Sequence, residues 1–83
     1  MNKTQKMKGN EYQLKYEETG LNRREYQVLN YISFGHTSDE IARLLYISTN
    51  TVKVHRKKLF NKMQAKNVAQ LVRLGFEQNL LGI

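Results

Sequence analysis

The chain has 83 residues and a net charge of +7, and a chain of this length forms one small domain that buries only about 60% of its unfolded surface. It contains no cysteine, which excludes disulfides and thiolate metal sites. No apolar run approaches the roughly 20 residues of a membrane span, and the basic N-terminus lacks the apolar region of a secretory signal, so we expect a cytoplasmic protein.

Residues 1–20 differ in composition from the rest of the chain. They carry four lysines and three glutamates and show no clear apolar period. This composition predicts a polar tail or linker, flexible or partly docked on the remainder. Residues 21–83 then predict one domain built from four helical segments.

The first helix is predicted over residues 22–34. Asn22 is a good N-cap, and Glu25 three residues later completes a capping box. Apolar residues recur at helical spacing between these caps and the end of the segment. Gly35 follows as a C-terminal stop, since glycine adopts a positive φ without a steric penalty.

The second and third helices are predicted over residues 37–45 and 48–63. Thr37 and Glu40 form another capping box, and Ser48 is an N-cap for the third helix. Only two residues lie between the end of one helix and the cap of the next. Two helices joined by so short a turn cross steeply, which is the helix-turn-helix arrangement.

The third helix has two unlike faces on a helical wheel. A narrow apolar seam is predicted to face the core and consists of Val52, Leu59 and Met63. The opposite stripe contains Asn50, Val54, Lys57 and Asn61, with Lys53 and Lys58 beside it. A solvated face more often mixes Glu with Lys. In a DNA major groove, cations pair with phosphates or guanine, an amide pairs with adenine, and a methyl group contacts thymine.

Nearly all of the excess positive charge lies in this part of the chain. Residues 48–66 hold five lysines and Arg56 without any acid, so they account for +6 of the net charge. Such a cluster indicates a polyanionic partner. An anionic membrane surface would require a wide apolar face on the same helix, which the narrow seam does not provide.

A fourth helix is predicted over residues 67–79, with Asn67 as N-cap and Gln70 at the third helical position. Three leucines lie off its main apolar stripe: Leu74, Leu80 and Leu81. Apolar residues beyond one face indicate a second surface to cover. This pattern favours a dimer contact for these residues, and additional core packing is the alternative that stays open.

The residues do not form the constellations that enzymes use. The chain shows no Ser/His/Asp or Cys/His set, no glycine-rich phosphate loop and no paired carboxylates, so an enzyme is rejected. No cofactor or metal is expected, because His55 and His36 lie in different segments and have no cysteine beside them. For His55, a partly buried structural role and a phosphate contact both remain open.

Three stretches of the chain resemble the LuxR/GerE family of bacterial helix-turn-helix transcription regulators. L-N-R-R-E-Y-Q-V-L (21–29) is similar to the family's L-T-x-R-E-x-x-V-L. G-H-T-S-D-E-I-A-R-L-L-Y-I-S (35–48) is similar to G-x-S-N-K-E-I-A-x-x-L-x-I-S, and T-V-K-V-H-R-K-K-L-F-N-K-M (51–63) to T-V-K-x-H-x-x-N-I-x-x-K-L. Each motif alone is weak, but together and at this spacing they are highly specific.

The resemblance implies an all-α domain of four helices, with the third helix in the major groove and the fourth in a two-fold dimer contact. Base contacts carried over by position are Lys53, Val54 and Lys57, and the helical wheel adds Asn50. Implied phosphate contacts are Ser48, Thr49, Thr51, His55, Lys58 and Lys62. Implied dimer contacts are Val68, Leu71, Val72 and Gly75.

Three departures from the family pattern affect these expectations. Lys58 stands where Asn is frequent, which adds charge for phosphate contacts. Ser38 and Asp39 replace a frequent Asn-Lys pair, which weakens the expectation of a phosphate contact by the second helix. Val68 replaces a frequent Arg, so an ion pair from that position to Glu25 is not expected.

The resemblance implies a transcription regulator that binds double-stranded DNA as a homodimer on an inverted repeat, with RNA polymerase as a further partner and a location at the bacterial nucleoid. Family members usually carry a receiver or ligand-binding domain ahead of this one, and twenty residues form neither. A stand-alone regulator and a fragment of a longer one both remain open. The alternative function is a helix-turn-helix protein-interaction module, or a sigma-factor-like promoter-reading module, without its own operator specificity.

Overall fold

The computed structural model describes residues 18–82, which contain four helices and no strand. The helices are α1 (Arg23–Ser33), α2 (Ser38–Leu45), α3 (Thr49–Met63) and α4 (Val68–Glu77). The predicted all-α, four-helix fold is therefore confirmed. Most of the predicted tail lies outside the described residues.

Each helix begins at the predicted N-cap, because a side chain there accepts a free backbone N–H of the first turn. At α1, Asn22 Oδ1 accepts from the Glu25 N–H at 2.8 Å, and the Glu25 carboxylate accepts from the Asn22 N–H at 2.9 Å. Thr37 and Glu40 form the second reciprocal pair at α2. At α3 and α4 the cap bond runs in one direction only: the Ser48 side chain accepts from the Thr51 N–H, and the Asn67 side chain accepts from the Gln70 N–H.

A residue in the left-handed backbone conformation follows each of the four helices, and Asn79 is that residue after α4. Gly35 after α1 has φ +90°, as predicted for its role as a stop. Tyr46 after α2 and Gln64 after α3 also lie in the left-handed region, at φ 58° and 56°. The Ile47 N–H then reaches back to the Ala42 carbonyl oxygen at 3.0 Å, which closes α2 and starts the short turn into α3.

The core is centred on α3, which packs against each of the other three helices and most extensively against α1 and α2. Its apolar seam is buried as predicted, with Val52 and Leu59 fully buried and Met63 nearly so. The other helices meet this seam with buried aliphatic side chains: Val28, Leu29, Ile32, Ile41, Ala42 and Leu71. Because one face of α3 is enclosed, the opposite face is held in a fixed orientation toward solvent.

The segment after α4 folds back onto the core. The helix ends at Glu77, two residues before the predicted bound, and Asn79 adopts φ 61°. The Leu80 N–H then donates to the Gly75 carbonyl oxygen at 2.8 Å, and Leu80 and Leu81 are buried. Of the two roles left open for these leucines, the structure therefore shows core packing.

No helix within residues 18–82 has the length and apolar character needed to cross a membrane.

Candidate nucleic-acid interface

The exposed face of α3 carries the predicted base-reading side chains. Asn50, Lys53, Val54 and Lys57 are all exposed, and Val54 keeps 51% of its surface accessible although it is apolar. The face is held outward because Val52 and Leu59 on the opposite side are fully buried. An amide, an aliphatic side chain and two ammonium groups therefore share one solvent-facing stripe of a fixed helix.

Three hydroxyl side chains surround the N-terminal end of α3. Ser48 Oγ accepts from the Thr51 N–H at 3.0 Å and lies 2.8 Å from the Thr51 hydroxyl. The Thr49 hydroxyl donates to Asp39 Oδ1 at 2.9 Å, which joins the start of α3 to the first turn of α2. These three of the six predicted phosphate contacts lie together, but each hydroxyl already has a partner within the chain.

Sequence reasoning missed the bond between Thr49 and Asp39. It identified Asp39 as a departure from the family pattern, but not the hydroxyl that this carboxylate accepts from. The two residues are ten positions apart in different helices, so their contact depends on how α2 and α3 cross. The only signal in the sequence was the acid at a position where a cation is frequent.

Lys58 and Lys62 are placed differently, although both were predicted to contact phosphates. Lys58 is exposed, and the described residues offer it no ion pair. The Lys62 ammonium group donates to Glu25 Oε1 at 2.8 Å and leaves 37% of its side chain exposed. The phosphate contact of Lys62 thus stays a prediction for a cation that already has a carboxylate partner.

The Glu25 carboxylate is fully buried and organises the junction of α1 and α3. Burial by itself raises the pKa of this group, but the hydrogen bonds from Lys62 and from the Asn22 backbone, with the positive charge of Lys62, bring the pKa of Glu25 below its ordinary value. The second oxygen, Oε2, finds no hydrogen-bond partner within residues 18–82. The ion pair expected to be lost with Val68 is therefore made from α3 by Lys62.

His55 lies at the edge of the same junction. Its Nδ1 atom is buried and has no hydrogen-bond partner in the described part of the chain. Burial lowers the pKa of the imidazole, and the nearby positive charge of Arg24 lowers it further. A neutral ring favours the structural role for His55, and a phosphate contact would then depend on a neutral N–H donor.

The four predicted dimer contacts on α4 are unequally accessible. Val68 is 41% exposed and Val72 is partly buried, whereas Leu71 and Gly75 are buried in the core of the chain itself. A Cβ atom on Gly75 would approach Leu81 Cδ1 to 2.7 Å, so this glycine allows the C-terminal leucines to pack. Leu71 and Gly75 have no free surface for a partner, so only Val68 and Val72 of the four predicted residues are accessible for a dimer contact.

Comparison with known proteins places this fold in a family. The GerE family, described as bacterial regulatory proteins of the luxR family, matches residues 19–75. The probable csgAB operon transcriptional regulatory protein of Salmonella typhimurium strain LT2 is 46% identical over 56 residues, which are 68% of this chain and 26% of that protein. The transcriptional activator protein ExpR of Dickeya dadantii is 38% identical over 76 residues, 90% of this chain and 30% of that protein.

A response regulator protein of Pseudomonas putida, TodT, is 39% identical over 62 residues, which are 75% of this chain and 27% of that protein. The chain thus spans between a quarter and a third of the length of these curated relatives. No solved structure matches the chain significantly. The family match covers more than half of the chain and agrees with the four helices, so the protein belongs to the LuxR family of bacterial regulatory proteins, with its GerE-type helix-turn-helix domain at residues 19–75.

Proposed function

We propose that this chain is a sequence-specific, double-stranded DNA-binding transcription regulator that inserts α3 into the major groove. The observation that carries the proposal is the composition of the exposed face of α3 on a helix whose other face is enclosed in the core. In a helix-turn-helix protein the second helix of the pair reads bases, and the first crosses the backbone. The three relatives described above are named as regulators or activators, which supports the same function here.

Base reading is assigned to the outer stripe of α3. Lys53 and Lys57 would donate to guanine, the Val54 methyl groups would contact thymine, and the Asn50 amide would pair with adenine. A good contact of this kind discriminates against the wrong base by about 1–3 kcal/mol. All four side chains are exposed, so they reach a groove without any rearrangement of the core.

Phosphate contacts are assigned to the flanks of the same helix. The predicted residues are Ser48, Thr49, Thr51, His55, Lys58 and Lys62. Lys58 is the strongest of these, because it is exposed and pairs with no acid in the described region. Contacts of this kind fix the register of a protein on the duplex without reading its sequence.

The active form is proposed to be a dimer on an inverted repeat, with half-sites about 10 bp apart from centre to centre. Val68 and Val72 on α4 supply the apolar surface for that contact. Two copies of so short a helix would bury little apolar area between them, so dimerisation is expected mainly on DNA. The regulator is proposed to act in the cytoplasm, at the nucleoid, with RNA polymerase as a further partner.

The proposal is tested by selecting binding sites for the chain from a random pool of double-stranded DNA. The expected product is a shared inverted repeat whose affinity falls steeply as salt concentration rises. Binding without a preferred sequence would reject the regulator. It would favour instead a protein-interaction module that presents a basic helix to an acidic partner.

Two lysines on α3 provide a residue-level prediction. Lys57→Ala should weaken binding to the selected site by about 1–3 kcal/mol while changing non-specific binding less, because a base contact is lost. Lys58→Ala should weaken all sequences alike and flatten the salt slope by about one unit for each subunit bound. Both are measured by titration of selected and scrambled duplexes across a salt series.

Arg73→Ala is the matched control for these lysine variants. It removes one positive charge from α4, where no DNA contact is predicted. Equal losses of specific and non-specific binding in Lys57→Ala would show that Lys57 is not a base reader. If the salt dependence of DNA binding has the same slope in Lys58→Ala as in Arg73→Ala, Lys58 does not contact phosphate.

A further inference from the structure

We infer that Asp39 is an affinity-setting residue of the DNA interface: its carboxylate opposes the phosphate backbone at the start of α3 and holds the Thr49 hydroxyl away from it. The inference rests on the proposed function, since it concerns the strength of that same DNA contact. It names a role for an acidic residue that contacts α3, a helix that carries no acidic residue of its own.

Position is the first support. Asp39 lies in the first turn of α2, and its Oδ1 accepts from the Thr49 hydroxyl at 2.9 Å. Thr49 is the first residue of α3, next to the Ser48 cap. In helix-turn-helix proteins the N-terminal end of the recognition helix contacts the DNA, and the helix before it crosses the backbone. The Asp39 carboxylate therefore lies at the edge of the surface that would meet phosphates.

The second support is that no cation in the described residues pairs with Asp39. Glu25 pairs with Lys62, Glu40 with His36, and Glu77 with Arg73. Asp39 makes no ion pair within residues 18–82 and is exposed. Its negative charge is thus not paired with a cation, and it would repel an approaching phosphate.

Hydroxyl chemistry provides the third support. A threonine hydroxyl has one proton to donate. While Thr49 donates to Asp39, the same proton cannot be donated to a phosphate oxygen. Binding of a phosphate at this point must therefore break the bond to Asp39 and also bring two negative groups close together. Both effects weaken backbone contact, and neither depends on the base sequence.

The test is the affinity of Asp39→Asn for the selected site and for a scrambled duplex, measured across a salt series. The asparagine retains a side-chain oxygen for the Thr49 hydroxyl and removes the charge, although it also introduces an NH2 donor. We expect both affinities to rise about ten-fold at 0.1 M salt. The salt slope should steepen by about one unit for each subunit bound, while the ratio of specific to non-specific affinity stays within about two-fold.

Three further variants make the result specific. Glu77→Gln gives the same change in net charge on α4, where no DNA contact is predicted, and should change affinity little. Thr49→Val removes the hydroxyl and leaves the carboxylate, so it should not tighten binding. Asp39→Ser removes the same charge with a different side chain and should behave as Asp39→Asn, which guards against a folding defect in one variant.

Failure of this inference is distinguishable from failure of the proposed function. A parent chain that selects an inverted repeat, together with neutral Asp39 variants that bind no tighter than Glu77→Gln, overturns the role of Asp39 alone. If neither the parent nor the neutral variants bind DNA, both are overturned. A parent that binds weakly and neutral Asp39 variants that bind about ten-fold tighter support the inference.

Discussion

The two faces of α3 differ in role: the inner face forms the centre of the core, and the outer face is the proposed DNA-reading surface. The inner face buries Val52 and Leu59 completely against α1 and α2. The outer face exposes lysines, an asparagine and a half-exposed valine. One helix is thus both the centre of the core and the proposed reading surface. Substitutions on one face should change folding, and substitutions on the other should change DNA binding.

This separation depends on how rigidly the inner face holds the helix. A side chain that reads a base must be positioned to within a fraction of an ångström, and a helix packed on three neighbours is a better support than a loop. The helix is also fixed at its ends, by the Ser48 cap and by the left-handed residue Gln64. The outer face can therefore vary in sequence without any change in the supporting core.

The largest effect is expected from a substitution that creates a cavity on the inner face of α3. Leu59→Ala should lower the free energy of unfolding by about 2–5 kcal/mol, because it removes a fully buried side chain that the core cannot refill. In so small a domain such a loss would leave much of the protein unfolded. The measurement is urea or thermal unfolding followed by circular dichroism.

Val54→Ala is the matched variant on the outer face of the same helix. It removes methyl groups from a side chain that is half exposed, so the free energy of unfolding should change by less than about 0.5 kcal/mol. If Val54→Ala destabilised the protein as much as Leu59→Ala, the two faces would not be separate.

Lys62 tests the boundary between the faces, since it was predicted to contact phosphate but donates to the buried Glu25. Lys62→Met leaves the carboxylate buried without its cation. Breaking a fully buried pair costs about 3–5 kcal/mol. Because Lys62 is itself more than one third exposed, solvent screens part of the interaction. We therefore expect the free energy of unfolding to fall by about 1–2 kcal/mol. Denaturant unfolding measures it, with Lys58→Met as the exposed control.

The ion pair between Lys62 and Glu25 should also make the free energy of unfolding depend on pH. The pKa of Glu25 is lowered in the folded state, so the stabilisation is fully present above the ordinary carboxyl pKa of 4.5 and is lost as pH falls through the folded value. Lys62→Met should be less sensitive to acid in that range. Some sensitivity should remain, because the pKa of Glu40 is also lowered, by the Thr37 backbone and by His36. An unchanged acid dependence in Lys62→Met would argue against a structural role for the pair.

Local signals predicted much of the fold. All four N-caps were predicted because a cap joins residues only three positions apart, and the buried seam of α3 was predicted because its spacing follows the helical period. The outer stripe of α3 followed from the same wheel. Its contacts with bases depend on the shape of DNA, which no pattern within the chain contains.

Contacts between distant residues escaped prediction. The Lys62–Glu25 bond joins residues 37 positions apart, and it forms only when α1 and α3 have packed. Leu80 and Leu81 reach the core because Asn79 turns the chain and Gly75 leaves room for it. The sequence therefore left two roles open for those leucines, since no local pattern distinguishes a core contact from a dimer contact.

A smaller effect, in the stabilising direction, is expected at the turn that joins α2 to α3. Tyr46 holds a left-handed conformation with 94% of its surface exposed, so its side chain contributes little packing and its backbone is strained. Tyr46→Gly should raise the free energy of unfolding by about 0.5–1 kcal/mol, with the larger entropy of the unfolded glycine offsetting part of the relief. Thermal unfolding detects a shift of this size in a small domain.

DNA titration of Tyr46→Gly tests whether the turn contributes only to stability or also to DNA binding. Gln64→Gly is its counterpart at the end of α3, where the backbone is equally left-handed. We expect both variants to be more stable and to bind DNA as the parent does, because neither side chain lies on the outer stripe. If only Tyr46→Gly weakened binding, the tyrosine would itself contact DNA, and the reading surface would extend from α3 into the turn.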